Sequence, residues 1–134
     1  MQQIYVDTSY FLRLLRKDNA SQYAEAFSLF SRAENREVKL ITSIVTVFEV
    51  IWLLRSVYLL EKTECYHYLL KILELKLTIE NHDVIEYAAE LWEKFSGSLE
   101  DCYHLAYAVQ TKCGKLATFD KKLSKFSVGK LIEA

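Results

Sequence analysis

Residues 4–15 read IYVDTSYFLRLL, and the fold turns on how that stretch divides. Ile4, Tyr5 and Val6 form a short apolar run of the kind that fills a buried strand. Tyr10, Phe11, Leu12, Leu14 and Leu15 then recur at the spacing of a buried helix. Asp7 stands where the period changes, with little polar company. A carboxylate there is expected to lose water without gaining an evident partner, and that loss asks for a compensating ligand.

Working outward, the alternation continues to the far end of the chain. Residues 3–7 read as a first strand and Thr8 to Arg16 as a helix. After a break at 17–20, where Asn19 or Asp18 can cap, a helix runs to about Asn35. Residues 38–41 read as a second strand, with Thr42 or Ser43 capping the helix that follows. That helix, SIVTVFEVIWLL (43–54), is apolar on nearly every side and is expected to be central, with Phe48 and Trp52 in the core. KTECYHYLLKILEL (62–75) is an amphipathic helix, KLTI (76–79) a third strand, and residues 83–95 a helix closed by Gly97. SLEDCYHLAYAVQTKCG (98–114) opens on acids, which suit the positive end of a helix dipole, and ends on Gly114. KLATF (115–119) reads as a fourth strand and GKLIE (129–133) as a fifth.

Short strands alternating with helices imply an α/β fold with a mostly parallel sheet of four or five strands, covered by helices on both faces. The chain has no proline and three glycines, with no linker or repeat, so one domain spanning residues 1–134 is expected. The formal charge of −1 gives no overall basic field. Three cysteines without CxxC spacing fit a reducing cytoplasm and behave as small buried hydrophobes. Neither a signal peptide nor an uncharged apolar run of about 20 residues is present, so a cytoplasmic protein without a membrane partner is expected.

In sheets of this kind ligand sites collect beyond the carboxyl ends of the strands. Asp7 ends one strand and Asp120 follows another in KLATFD. Glu49 faces inward from the apolar central helix, unless an ion pair with Arg13 or Arg55 explains it. Asp101 opens the apolar helix beside Glu100. Alone, Asp101 is a cap and Asp120 a turn residue. Together, the four acids have a topology that lets them meet at one end of the sheet. Two carboxylates about 4 Å apart repel by about 4 kcal/mol at an effective dielectric near 20. Several such pairs rival the whole stability of a small domain, about 5–15 kcal/mol. Protonation or a cation must relieve them. Oxygen donors without cysteine or histidine pairs favour Mg²⁺ or Mn²⁺, and such a site supports phosphodiester hydrolysis.

VDTSYFLRLL, TVFEVIWLL, SLEDCYHLAYA and LATFDKKL, in that order and spacing, resemble the four acidic motifs of PIN-domain ribonucleases, and most nearly those of the VapC-type toxins of prokaryotic toxin–antitoxin pairs. The resemblance spans almost the whole chain. It implies a three-layer α/β/α sandwich and a metal-binding catalytic set of Asp7, Glu49, Asp101 and Asp120. It further implies Mg²⁺- or Mn²⁺-dependent cleavage of RNA, commonly a homodimer, and a cognate antitoxin that blocks the site. Ser9 matches a small polar residue near the metal or the scissile phosphate, and Thr118 the hydroxyl residue preceding the last acid. Many relatives carry a further acid where this chain has Ser98; Glu100 is a partial substitute, and the metal stoichiometry is open.

His104 shares a helix face with Asp101, where it packs or acts as an acid–base group. His67 and His82 read as surface residues. Lysines 112, 115, 121, 122, 125 and 130 flank the last motif; Lys121 and Lys122 are phosphate-contact candidates, as are Arg13, Arg16 and Lys17 after the first. Tyr58, Tyr66 and Tyr68 are core residues or part of a dimer or antitoxin surface. A dinucleotide fold needs glycines after strand 1, which VDTSYF lacks. A phosphatase of the dehalogenase type needs an aspartate where Ser9 stands, and the paired acids of a receiver domain are missing. The alternatives that remain are a non-catalytic RNA- or protein-binding PIN-like module and a housekeeping RNA-processing nuclease.

Overall fold

The structure, a computed structural model, describes residues 1–125, which fall into two compact units: Met1–His82, and the chain from Asp83 onward. The first unit contains β1 (Gln2–Tyr5), α1 (Thr8–Arg16), α2 (Ala20–Glu34), β2 (Val38–Thr42), α3 (Ile44–Ser56), α4 (Lys62–Glu74) and β3 (Thr78–Ile79). The strands pair in parallel in the order β1-β2-β3, with Ile4 opposite Leu40 and Thr42 opposite Ile79. Parallel neighbours require crossover connections, and the helix pairs α1–α2 and α3–α4 supply them. Val6, Phe11, Leu40, Val50, Leu54 and Leu69 fill the core, and the Phe11 and Phe30 rings lie 5.6 Å apart.

Local chemistry sets the helix ends. Asn19 caps α2 by accepting from the Gln22 N–H at 3.0 Å, while Asp18 pairs with Arg13 at 3.1 Å. Lys17 closes α1 in the left-handed conformation. Helix α3 corrects one expectation. Thr46, Val47, Val50, Ile51 and Leu54 are buried, but the stripe Val45–Glu49–Trp52 is not, and Trp52 is 61% exposed. Phe48 is half-buried. A helix apolar on every side offers several faces for burial, and its sequence does not say which one the neighbours leave bare.

The second unit carries α5 (His82–Lys94, beginning on the last residue of the first unit), α6 (Leu99–Gln110) and α7 (Lys121–Ser124). Helix α5 buries Val84, Ile85, Ala88, Ala89, Leu91 and Trp92; α6 buries Leu99, Cys102, Leu105, Ala106 and Ala108. Residues 115–119 show strand-like alternation, with Leu116 and Thr118 half-buried between exposed neighbours, yet they join no ladder. The described residues therefore contain three strands where the sequence suggests four or five. Alternation sets which side chains turn inward, whereas a strand also needs a partner in register. The expected fifth strand, 129–133, lies outside the described residues. Among these residues no helix is long and apolar enough to cross a membrane.

Candidate metal centre

In the first unit Asp7 is the N-cap of α1. Its Oδ1 accepts from the Ser9 N–H at 3.0 Å and from the Ser9 hydroxyl at 2.6 Å. The carboxylate is exposed rather than desolvated, because the cap position lies past the end of the strand. Ser9, a candidate ligand-side residue, thus holds Asp7 in place. Glu49 is also exposed, which corrects its expected inward direction. Its Oε2 accepts from the Thr8 hydroxyl at 3.0 Å, tying α3 to the start of α1 and bringing Glu49 to the junction that carries Asp7. The alternative ion pair with Arg13 does not form; Arg13 is held by Asp18 and by Gln22, the latter at 2.6 Å.

A cluster of hydroxyls adjoins this junction. The Tyr5 hydroxyl shares hydrogen bonds with Ser43 Oγ at 2.8 Å and Thr46 Oγ1 at 3.1 Å. These bonds, that to Ser43 foremost, lower the phenol pKa. Thr42 donates to the Val6 carbonyl at 2.8 Å. Ser43 precedes α3 without capping it through its side chain; Glu80 Oε1 instead accepts from the Ile44 N–H at 3.1 Å.

In the second unit Asp101 and Ser98 form a reciprocal capping box: Ser98 Oγ accepts from the Asp101 N–H at 3.0 Å, and Asp101 Oδ2 accepts from the Ser98 N–H at 3.1 Å. Ser98, noted above only as a missing acid, therefore orients the acid that is present. Gly97 precedes it with φ +112, and a Cβ there would lie 3.0 Å from Asp101 Oδ2. The Trp92 indole fixes this turn by donating to the Gly97 carbonyl at 3.2 Å. Asp120 caps α7, its Oδ1 accepting from the N–H groups of Lys122 at 2.7 Å and Leu123 at 3.1 Å. Thr118 Oγ1 accepts from the Asp120 N–H at 3.0 Å. Burial raises the Glu100 pKa; the neighbouring Asp101 adds to the rise and His104 opposes it. His104 itself is exposed.

One pattern joins the four acids. Each commits one carboxylate oxygen to a protein donor, and the other oxygen has no hydrogen bond among the described residues. Oriented carboxylates with one open oxygen each are hard donors that fit Mg²⁺ or Mn²⁺. A second group, His82, Asp83 and Glu86 at the start of α5, has ligand atoms within 4.8 Å of one another. Exposed acids at a helix start serve equally as partners of its dipole.

The basic residues divide. Arg16 lies over the Tyr58 and Tyr68 rings, 5.2 Å and 5.9 Å from their centroids, and donates to the Tyr68 hydroxyl at 3.0 Å. Lys17 lies 5.4 Å from the Tyr23 centroid. Lys112, Lys115, Lys121, Lys122 and Lys125 are exposed, and Lys130 lies outside the described residues. Cys65 and Cys102 are buried as expected, whereas Cys113 is exposed.

The first unit is thus a parallel α/β arrangement with oriented acids after its first strand and on α3, and the second carries two helices that begin on oriented acids. Residues 4–129 match the PIN domain family, and the chain belongs to that family. PIN domains are generally nucleases and typically bind divalent metal. No curated protein matches the chain by sequence.

Proposed function

We propose that this protein is a divalent-metal-dependent endoribonuclease, with Asp7, Glu49, Asp101 and Asp120 as its catalytic metal ligands. The observation that carries the reading is the shared state of these acids: all four, at the positions the family motifs give, are fixed at one oxygen and, among the described residues, open at the other. Bound at such carboxylates, Mg²⁺ or Mn²⁺ supplies Lewis acidity for phosphodiester hydrolysis. The chain's own part is orientation. Ser9, Thr8, Ser98 and the first turn of α7 hold the four carboxylates so that little reorganisation is left for binding. Thr118 positions the backbone that carries Asp120. Lys121 and Lys122 contact substrate phosphates, so raised salt weakens RNA binding. Arg13, bound to Asp18 and Gln22, has a lesser share in that contact.

The likeness to VapC-type motifs further supports a toxin of a toxin–antitoxin pair, acting in the cytoplasm as a homodimer and restrained by a cognate antitoxin. The test is cleavage of a mixed RNA pool by protein freed from any antitoxin. Cleavage that stops in EDTA, returns with Mg²⁺ or Mn²⁺ and is abolished in a folded Asp101→Asn variant supports the enzyme. Cleavage retained by that variant excludes the proposed role of Asp101. A small antitoxin-like reading frame beside the gene, whose product silences the activity, separates a toxin from a housekeeping nuclease.

A further inference from the structure

We infer that Tyr5 is a stacking platform for a nucleobase of the RNA, beside Asp7 and Glu49; this rests on the ribonuclease reading above. A surface tyrosine ordinarily buries its ring and leaves its hydroxyl in water. Tyr5 differs: protein hydroxyls hold its hydroxyl, and its ring is not buried with the core side chains. Its hydroxyl is bound to the Ser43 and Thr46 hydroxyls, while the residue is 54% exposed. Its polar end is held by protein and more than half of the residue's surface is open to solvent, a presentation suited to stacking by single-stranded RNA.

The anchor is built from elements of the same unit. Thr46 is buried, and Ser43 turns to Tyr5 while Glu80 accepts the first N–H of α3. A phenol tied at its far end cannot swing freely, so little side-chain entropy remains to be lost on binding. Placement supplies the rest. Tyr5 ends β1, Val6 just beyond it is buried in the core, and Asp7 follows only two residues after Tyr5 as the exposed cap of α1. Thr46 lies one helical turn before Glu49 on α3. A nucleotide whose phosphate lies at a metal ion held by these carboxylates has its own base, or the next one, within reach of the ring. Every base has a π face, so this contact adds affinity with little base preference.

The test uses single-stranded RNAs with 2-aminopurine placed at successive positions, bound to full-length Asp101→Asn protein so that the RNA stays whole. The expected result is fluorescence quenching at one position next to the cleavage site. Adding Tyr5→Leu abolishes that quenching and weakens binding about five-fold or more, the lower end of aromatic stacking contributions. Tyr5→Phe keeps the ring and the quenching, and equal melting temperatures show that both variants fold. In the cleaving protein, Tyr5→Leu raises KM and leaves kcat within about two-fold. Unchanged quenching in Tyr5→Leu, loss of quenching in Tyr5→Phe as well, or no RNA binding at all overturns the inference. Quenching that needs Tyr5 in a protein that cleaves nothing upholds the platform and rejects the nuclease; cleavage indifferent to Tyr5 does the opposite.

Discussion

Two neighbouring substitutions separate the fold of the acidic site from its chemistry. Ser98→Ala removes the oxygen that accepts from the Asp101 N–H at 3.0 Å. Loss of such a cap costs about 1 kcal/mol. For a chain of 134 residues that corresponds to a fall in Tm of about 3–5 °C. Asp101→Asn keeps an amide oxygen able to accept from the Ser98 N–H, so it loses only a charge near the helix start, about 0.3–1 kcal/mol. Metal responses should run the other way. At a hundred times Kd, an ion that binds only the folded state adds about 2.7 kcal/mol, or about 10 °C on the same scale. Thermal melts with and without Mn²⁺ read both quantities. Ser98→Ala should start lower and keep most of the metal shift, because the Asp101 carboxylate is still there; Asp101→Asn should start near wild type and lose it. A full manganese shift in Asp101→Asn would refute the assignment of Asp101 as a ligand. Equal loss of the shift in both variants would show that the start of α6, rather than the carboxylate, governs metal uptake.

Three further outcomes follow from the geometry. Thr8→Val deletes the hydroxyl that holds Glu49 and should lower cleavage, with a stability loss of about 0.5–1.5 kcal/mol; Thr8→Ser should restore both, and unchanged cleavage in Thr8→Val would make the bond incidental. Gly97→Ala places a Cβ 3.0 Å from Asp101 Oδ2 at a positive φ, so it should weaken metal affinity as well as stability, as manganese titration would show. Burial raises the pKa of Glu100, so its folded form holds a proton more tightly than its unfolded form. The stability this gives is complete below the ordinary value of 4.5 and is lost as pH rises through the raised one. Glu100→Gln should therefore match wild type in acid and exceed it at neutral pH in melts without metal; parallel curves would contradict the shift.

The start of the fold was legible because its signals are local. The change of period at Asp7, the cap at Asn19, the alternation of β1, β2 and β3 with helices and the turn at Gly97 all lie within a few residues. The pattern SLED also spells out a capping box, serine followed three residues later by an acid. What escaped depends on distant partners. Thr8 and Glu49 are 41 positions apart, and nothing near either announces their bond. Arg13 looked free for phosphate until the chain turned Asp18 and Gln22 toward it. Tyr5 sits in an apolar run that reads as buried, yet it is exposed and its hydroxyl is held by Ser43 and Thr46, 38 and 41 positions away. The alternation in residues 115–119 was real, but hydrogen-bonded pairing in register is a property of two segments.

Manganese titration calorimetry on the wild type and on Asp7→Asn, Glu49→Gln, Asp101→Asn and Asp120→Asn addresses the metal ligands most directly. Saturable uptake by the wild type near neutral pH, weakened in each of the four folded variants, is the expected result. Absence of uptake, or wild-type affinity in any one of the variants, would contradict a four-carboxylate centre.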